Sequence, residues 1–255
     1  MNSRNDLQTT MDQNPYSTAC PPVDATYFTS EGKNATLREL MRIASPSLGG
    51  KMSAVLVKLF RLTQPPQVGF APYNLERRSP SELSWLQDIY EDDIATLATL
   101  GFIPTVGLSI PTIGNAQSNG IAFLGNDPTS FATIDHSETT ANGETHLESG
   151  LSFVSCSVDT IWGTTTFPKR LNNPPNFKSV YLPGYSPTEL HAAHRNRISL
   201  IPPNSLRSFS SDVLWNTLKE HETATTTFNV RRGLLRSMTV AEVNALTQST
   251  AKLGG

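Results

Sequence analysis

The sequence predicts an α+β protein in which an antiparallel sheet of about five strands is covered on one face by helices. Ser79-Pro80-Ser81-Glu82 places a capping hydroxyl, a proline and a glutamate ahead of Trp85, Leu86, Ile89, Tyr90, Ile94, Leu97 and Leu100, whose spacing of three and four is that of an amphipathic helix. From Phe102 to Phe167 the apolar spacing shortens to two and turn residues multiply. The connections between these runs leave no room for crossover helices, so neighbouring strands must be antiparallel.

Residues 1–33 are dominated by polar residues and proline, too little apolar surface to offset ordering entropy, and read as a disordered tail. Residues 34–63 read as two short helices, the first carrying Leu37, Leu40 and Met41 and ending at Gly49-Gly50, the second running from Met52 to Leu62. Residues 64–78, with Pro65-Pro66 at their start, read as a linker, and 79–250 as a single α+β domain. Its first helix ends at Gly101, a residue suited to a left-handed C-cap. The strands are expected at 102–110, 120–124, 131–136, 151–158 and 161–167, with 137–150 a polar surface loop. Capping boxes Ser186-Pro187-Thr188-Glu189 and Thr239-Val240-Ala241-Glu242 open helices to about 200 and 248. A further helix is expected from Ser211 to about Thr225, with Val213, Leu214 and Leu218 as its apolar face and the β-branched run at 223–227 fraying its end.

A chain of 255 residues can bury a sizeable core, but a net charge of -2 gives no global positive field to hold phosphate backbones, so nucleic-acid binding is not expected. Cys20 lies in the tail and Cys156 alternates with Val154 and Val158 on an expected strand, so a bridge between the two is not expected and Cys156 reads as a core residue. Reduced thiols and a polar N-terminus without an apolar signal region fit a cytoplasmic protein. Lys51, Lys58 and Arg61 flank an apolar run at 51–62 that is too short to span a bilayer but could lie on the inner face of a membrane.

No phosphate-binding glycine loop, nucleophile elbow or paired metal-binding motif is present, and no cofactor is identifiable from the sequence. His191 and His194, three apart on one helix face, could both reach a divalent metal, with His136 the candidate third ligand and His146, Glu138 and Glu148 further donors nearby. Arg231, Arg232 and Arg236 form the basic cluster suited to an anion or an acidic partner.

The order of signals across about 80–235 resembles that of uncharacterised bacterial, planctomycete-like proteins. The resemblance rests on Leu97-Ala98-Thr99-Leu100-Gly101-Phe102, the strand pair from Leu151 to Phe167, and Leu182-Pro183-Gly184-Tyr185-Ser186 with the helix that follows. It implies a bacterial origin and no particular chemistry. The leading expectation is an intracellular, non-catalytic binding or scaffold protein; the alternatives are a metal-dependent enzyme using His191 and His194, and a membrane-peripheral accessory protein held through 51–62.

Overall fold

The computed structural model describes residues 25–44, 48–60, 66–141 and 144–253. In chain order these form β1 (Phe28–Ser30), α1 (Leu37–Ile43), α2 (Leu48–Phe60), β2 (Val68–Phe70), β3 (Glu76–Arg78), α3 (Ser84–Ile89), α4 (Glu91–Thr99), β4 (Phe102–Ser109), β5 (Thr112–Gly114) and β6 (Ala116–Gly125). They continue with β7 (Phe131–Ala141), β8 (Glu144–Cys156), β9 (Ile161–Thr165), β10 (Phe177–Tyr181), α5 (Pro187–Ile198), α6 (Ser211–Arg231), β11 (Leu235–Ser237) and α7 (Val240–Leu253). The fold is mixed α+β, with a seven-stranded sheet ordered β10-β9-β8-β7-β6-β4-β3 and a four-stranded sheet ordered β11-β1-β2-β5.

The large sheet differs from the expected five strands in three ways. β3 and β10 extend its two edges, and β10 runs parallel to β9. The expected loop at 137–150 is instead the far end of a long hairpin, paired from Phe131↔Val154 out to Ala141↔Glu144. Its side chains are polar on both faces because this end projects into solvent, so backbone pairing and contacts such as Thr140 to Thr145 at 2.9 Å replace an apolar pattern.

Helices also cover both faces rather than one. Ile121, Phe123, Ile134, Leu151 and Phe153 point toward α3, α4 and α5, where Leu86, Leu97 and Leu190 are fully buried. The alternate residues Ala122, Phe131, Val154 and Cys156 point toward α6, against Leu214 and Leu218. β4 contributes to both layers because its register shifts between Pro104 and Val106: one extra residue puts Val106 and Leu108 on the α6 side and leaves Phe102 on the other. Cys156 and Val154 are core residues as expected, whereas Val158 is exposed in the turn before β9.

The helix expected from Ser79 to Gly101 is divided. Ser79 caps a 3-10 turn over Pro80–Leu83, accepting from Ser81 rather than Glu82, and Tyr90 separates α3 from α4 at φ −111°, ψ 29°. The Tyr90 hydroxyl reaches His136 Nδ1 at 2.9 Å, a tertiary contact that local spacing does not encode. Gly101 ends α4 at φ 85°, as expected of a left-handed cap. The capping boxes at Ser186–Glu189 and Thr239–Glu242 both form.

Of the expected tail, residues 1–24 lie outside the described residues, while Phe28–Ser30 form β1 in the middle of the small sheet, paired to β11 and β2. The expected linker likewise holds β2 and β3. Both departures involve three-residue strands whose partners are distant in the chain, too short for a periodicity to register. Gly49-Gly50 lie inside α2 rather than ending a helix.

Glu39 ties several of these elements together. It completes a capping box with Thr36 at the start of α1, accepts from the Asn172 backbone N–H at 2.9 Å, and takes the Arg232 guanidinium on both oxygens at 2.6 Å. Burial alone would raise this carboxyl, but the hydrogen bonds from Arg232, Asn172 and Thr36 outweigh it and hold it down at about 2. Because Arg232 caps α6, the pair fixes the C-terminal end of that helix to α1. Removing one partner of a buried pair strands the other, so Glu39→Ala is expected to cost about 3 to 5 kcal/mol, read as a fall in Tm by calorimetry. A depressed folded pKa contributes stability above the ordinary carboxyl range and loses it as pH falls toward 2, so the wild-type advantage over Glu39→Ala should shrink between pH 5 and pH 2.

Candidate functional site: a cavity beneath helix α6

The two covered faces of the large sheet are filled differently. Toward α3–α5 the side chains are large and close-packed. Toward α6 they include Ser118 and Gly120 on β6, Thr133, Asp135 and Ser137 on β7, Ser152 on β8, and Gly163 and Thr165 on β9. These small and polar residues leave a partly open cavity of about 810 Å³ between the sheet and α6, whose lining also includes Phe28 of β1, Phe70 of β2, Phe131, Phe167 and Phe177.

Helix α6 presents one stripe to this space: Leu218, His221, Glu222, Thr225, Thr226 and Asn229, at the three- and four-residue spacing of one helix face. The stripe changes character along its length. Leu214 and Leu218 pack on Phe131, Phe209 and Val154, after which the inward residues are polar. Asn229 is buried, and its side-chain oxygen has no hydrogen-bond partner.

Asp135 stands on the floor of the cavity. In the cross-strand row Leu108–Gly120–Asp135–Gly150, it is flanked by a glycine on each side. A Cβ on Gly120 would come within 2.8 Å of Asp135 Oδ1, so the glycine is what makes room for the carboxyl. At Gly150 the ring of Phe167 takes the place a side chain would occupy. The Thr133 hydroxyl donates to Asp135 Oδ2 at 2.9 Å.

Burial pushes Asp135 up to about 6, the Thr133 hydrogen bond offsetting only part of it. Glu222 rises to about 7, first through burial and then through repulsion from Asp135, with a hydrogen bond from Thr226 opposing. His221, whose ring lies 4.5 Å from that of Phe177, is pushed down to about 4 by burial and is neutral. The more exposed Glu148 and Arg170, which also line the cavity, neutralise each other at 2.9 Å. The interior therefore carries two carboxyls without a countercharge, each able to donate when protonated and to hold positive charge when ionised.

The histidines singled out from the sequence lie on the opposite face of the sheet. His194 is fully buried, with Nε2 at 3.1 Å from the Ser155 hydroxyl and Nδ1 at 3.1 Å from that of Thr164. Ser155 continues to Ser130 at 2.8 Å, and Thr164 accepts from Arg197 at 2.8 Å. Both ring nitrogens are thus engaged within α5's contact with β8 and β9, and burial together with Arg197 and His191 pushes the ring down to about 3. His191 packs on the rings of Phe102 and Phe153, and His136 bonds to Tyr90 and meets Trp85 edge-on. Among the described residues no group of three or more His, Cys, Asp or Glu side chains is placed to hold a metal ion.

Of the arginine cluster, Arg232 is taken by Glu39, and Arg236 by Glu31 and Glu242 at 2.6 Å each, whereas Arg231 is exposed. The apolar run of α2 is divided: Ala54 and Val57 pack inward, while Met52, Leu56 and Leu59 are exposed. Lys58 donates to the Ala35 carbonyl at 2.8 Å, Lys51 is exposed, and Arg61 lies outside the described residues. Among those residues no helix is long and apolar enough to cross a membrane. Cys156 is buried and pushed up to about 11 by burial, the thiol form of a core residue. Cys20 lies outside the described residues.

Comparison with family models, curated proteins and solved structures gives no match.

The sequence reading missed Asp135, Glu222 and Asn229. A signal existed in strand glycines at 120 and 150 facing the same β7 position, but it depends on register, which the sequence alone did not supply.

Two outcomes follow. Asp135 and Glu222 have folded pKa values above their unfolded ones, so their contribution to stability is full below about pH 4 and is lost as pH rises through 6 and 7. Asp135→Asn should therefore gain up to about 3 kcal/mol over wild type at pH 8 and lose that advantage by pH 4, as measured by denaturant unfolding. His194 behaves oppositely. Its depressed pKa contributes stability above about 6.5 that falls away as pH drops toward 3, and His194→Ala, which takes one hydrogen-bond partner from each of two buried hydroxyls and opens a cavity, should cost about 2 to 4 kcal/mol at pH 7 in the same assay.

Proposed function

We propose that the protein is a binding protein for a small organic ligand, held between the large sheet and α6. The observation that carries this reading is the cavity itself: about 810 Å³, within the size range of small-molecule sites, with aromatic walls and a few convergent polar groups. A core that served stability alone would fill this layer with apolar side chains, as the opposite face does with Phe123 and Phe153. Here the inward positions are instead small, hydroxylated or acidic, which costs stability and leaves groups able to orient a guest.

A cytoplasmic binding role agrees with the charge balance and the buried, unreactive Cys156. The exposed apolar residues of α2 lie on a different element from the cavity lining and do not contribute to this reading.

The test is to occupy the space from within. Thr225 faces the cavity from α6 and Ser152 from the sheet, so Thr225→Trp and Ser152→Trp each push an indole into it from one wall while α6 keeps its end contacts. Wild type should bind a fluorescent naphthalene probe, naphthylmethanol or naphthylmethylamine, and be stabilised by about 2.7 kcal/mol at a hundredfold excess over Kd. The double variant Thr225→Trp, Ser152→Trp, folded by circular dichroism, should bind at least tenfold more weakly. Failure of both probes to bind wild type, or unchanged affinity in the double variant, would refute the proposal.

A further inference from the structure

We infer that the ligand class is a protonated amine carried on an apolar, aromatic-sized body, its nitrogen held by Asp135 and Glu222. This inference rests on the cavity being a ligand site and adds the chemistry of the guest.

Two features of the cavity converge on it. The first is charge. Among the described lining residues, Glu148 and Arg170 cancel each other and His221 is neutral, so Asp135 from the sheet and Glu222 from α6 face the space without a cation. The remaining titratable group in the lining, Tyr181 on β10, donates its hydroxyl to Asn173.

The two carboxyls also act on one another, repulsion from Asp135 helping to raise Glu222, so a single positive charge answers both. An ammonium carries the charge the carboxyls lack and supplies up to three hydrogen-bond donors to them.

The second feature is the wall. Phe28, Phe70, Phe131, Phe167 and Phe177 line the same space as the two carboxyls. Such a surround suits an organic cation, whose body is apolar and whose charge is stabilised by π-systems. A hard divalent ion such as Ca²⁺ or Mg²⁺ would instead call for about six oxygen ligands, and among the described residues no group of three or more His, Cys, Asp or Glu is placed to hold a metal ion.

Binding an ammonium draws Asp135 and Glu222 into their ionised forms. Around neutrality this releases protons from the protein, and amine affinity rises as pH increases through 6 and 7.

The experiment compares naphthylmethylamine with its uncharged isostere naphthylmethanol by fluorescence titration and calorimetry on the full chain. At pH 7.5 the amine should bind wild type at least tenfold more tightly than the alcohol. Its affinity should fall at least tenfold between pH 8 and pH 5, with the alcohol unchanged. At pH 6.5 the binding heat of the amine should differ between buffers of different ionisation enthalpy in the sense of proton release. In the double variant Asp135→Asn, Glu222→Gln, amine and alcohol should bind alike.

Equal binding of both probes to wild type would overturn the amine assignment while leaving the cavity reading in place. Failure of both probes to bind would overturn the two together. An amine preference that survives in the double variant would also overturn the assignment, because the charge would then be recognised elsewhere. The wild-type pH profile reads the same question without any substitution, so the inference stays open to refutation even if the double variant does not fold.

Discussion

The architecture turns on how far α6 stands from the large sheet. A sheet with apolar side chains on both faces must be covered on both, and α6 supplies the second cover. Its N-terminal half is seated by Leu214 and Leu218 on Phe131, Phe209 and Val154, and its C-terminal end is held through Arg232 by Glu39. Between these two attachments the helix bridges a span of sheet whose side chains are small. The standoff therefore follows from what is fixed at the ends and what is missing in the middle, and the cavity is the space in between.

The same sheet shows both ways of burying polar groups. Under α5, His194, Ser155, Ser130, Thr164 and Arg197 form a chain in which each imidazole nitrogen has a hydroxyl within hydrogen-bonding reach; that network closes the face and leaves nothing to offer a guest. Under α6, Asp135 and Glu222 repel one another and Asn229 has an oxygen without a donor. Residue type does not separate the two cases, since histidine and serine look more like chemistry than threonine and asparagine do. What separates them is whether the hydrogen-bonding capacity is spent within the fold.

That distinction explains what the sequence could and could not reveal. Local devices were readable: the capping boxes at Ser186 and Thr239 and the left-handed Gly101 are each encoded within a few residues and form as expected. The strands from Phe102 to Phe167 were found because their apolar alternation is strong. Elements defined by distant partners were not, among them β1, whose Phe28 pairs with Ser237, and the polar hairpin end beyond His136. The site fell in the same blind spot. The sequence reading covered the sheet with helices on one face only, which left no layer for polar residues to point into on the other. Once both faces are covered, Thr133, Asp135 and Ser137 must point into the protein. The threonine-rich end of α6 was read as fraying, yet Thr225 and Thr226 belong to the inward stripe, and helix continuity there comes from tertiary attachment at Arg232 rather than from propensity.

The energetics of the carboxyl pair link the site back to the fold. Burial disfavours ionisation of both Asp135 and Glu222, and repulsion from Asp135 adds to it at Glu222, so near neutral pH the protein must either hold a proton there or bear the cost of the charge. Either choice lowers the stability the same backbone would have with neutral side chains at these positions. A positive charge held by the two carboxyls offsets both the burial of their charge and the repulsion at Glu222, so part of its binding free energy is a cost already present in the fold. The glycines at 120 and 150 belong to the same design, because they admit the Asp135 carboxyl and the Phe167 ring that line the space. A sheet optimised for packing would carry valine or isoleucine at both positions, and the carboxyl would then be walled in with no route to a partner.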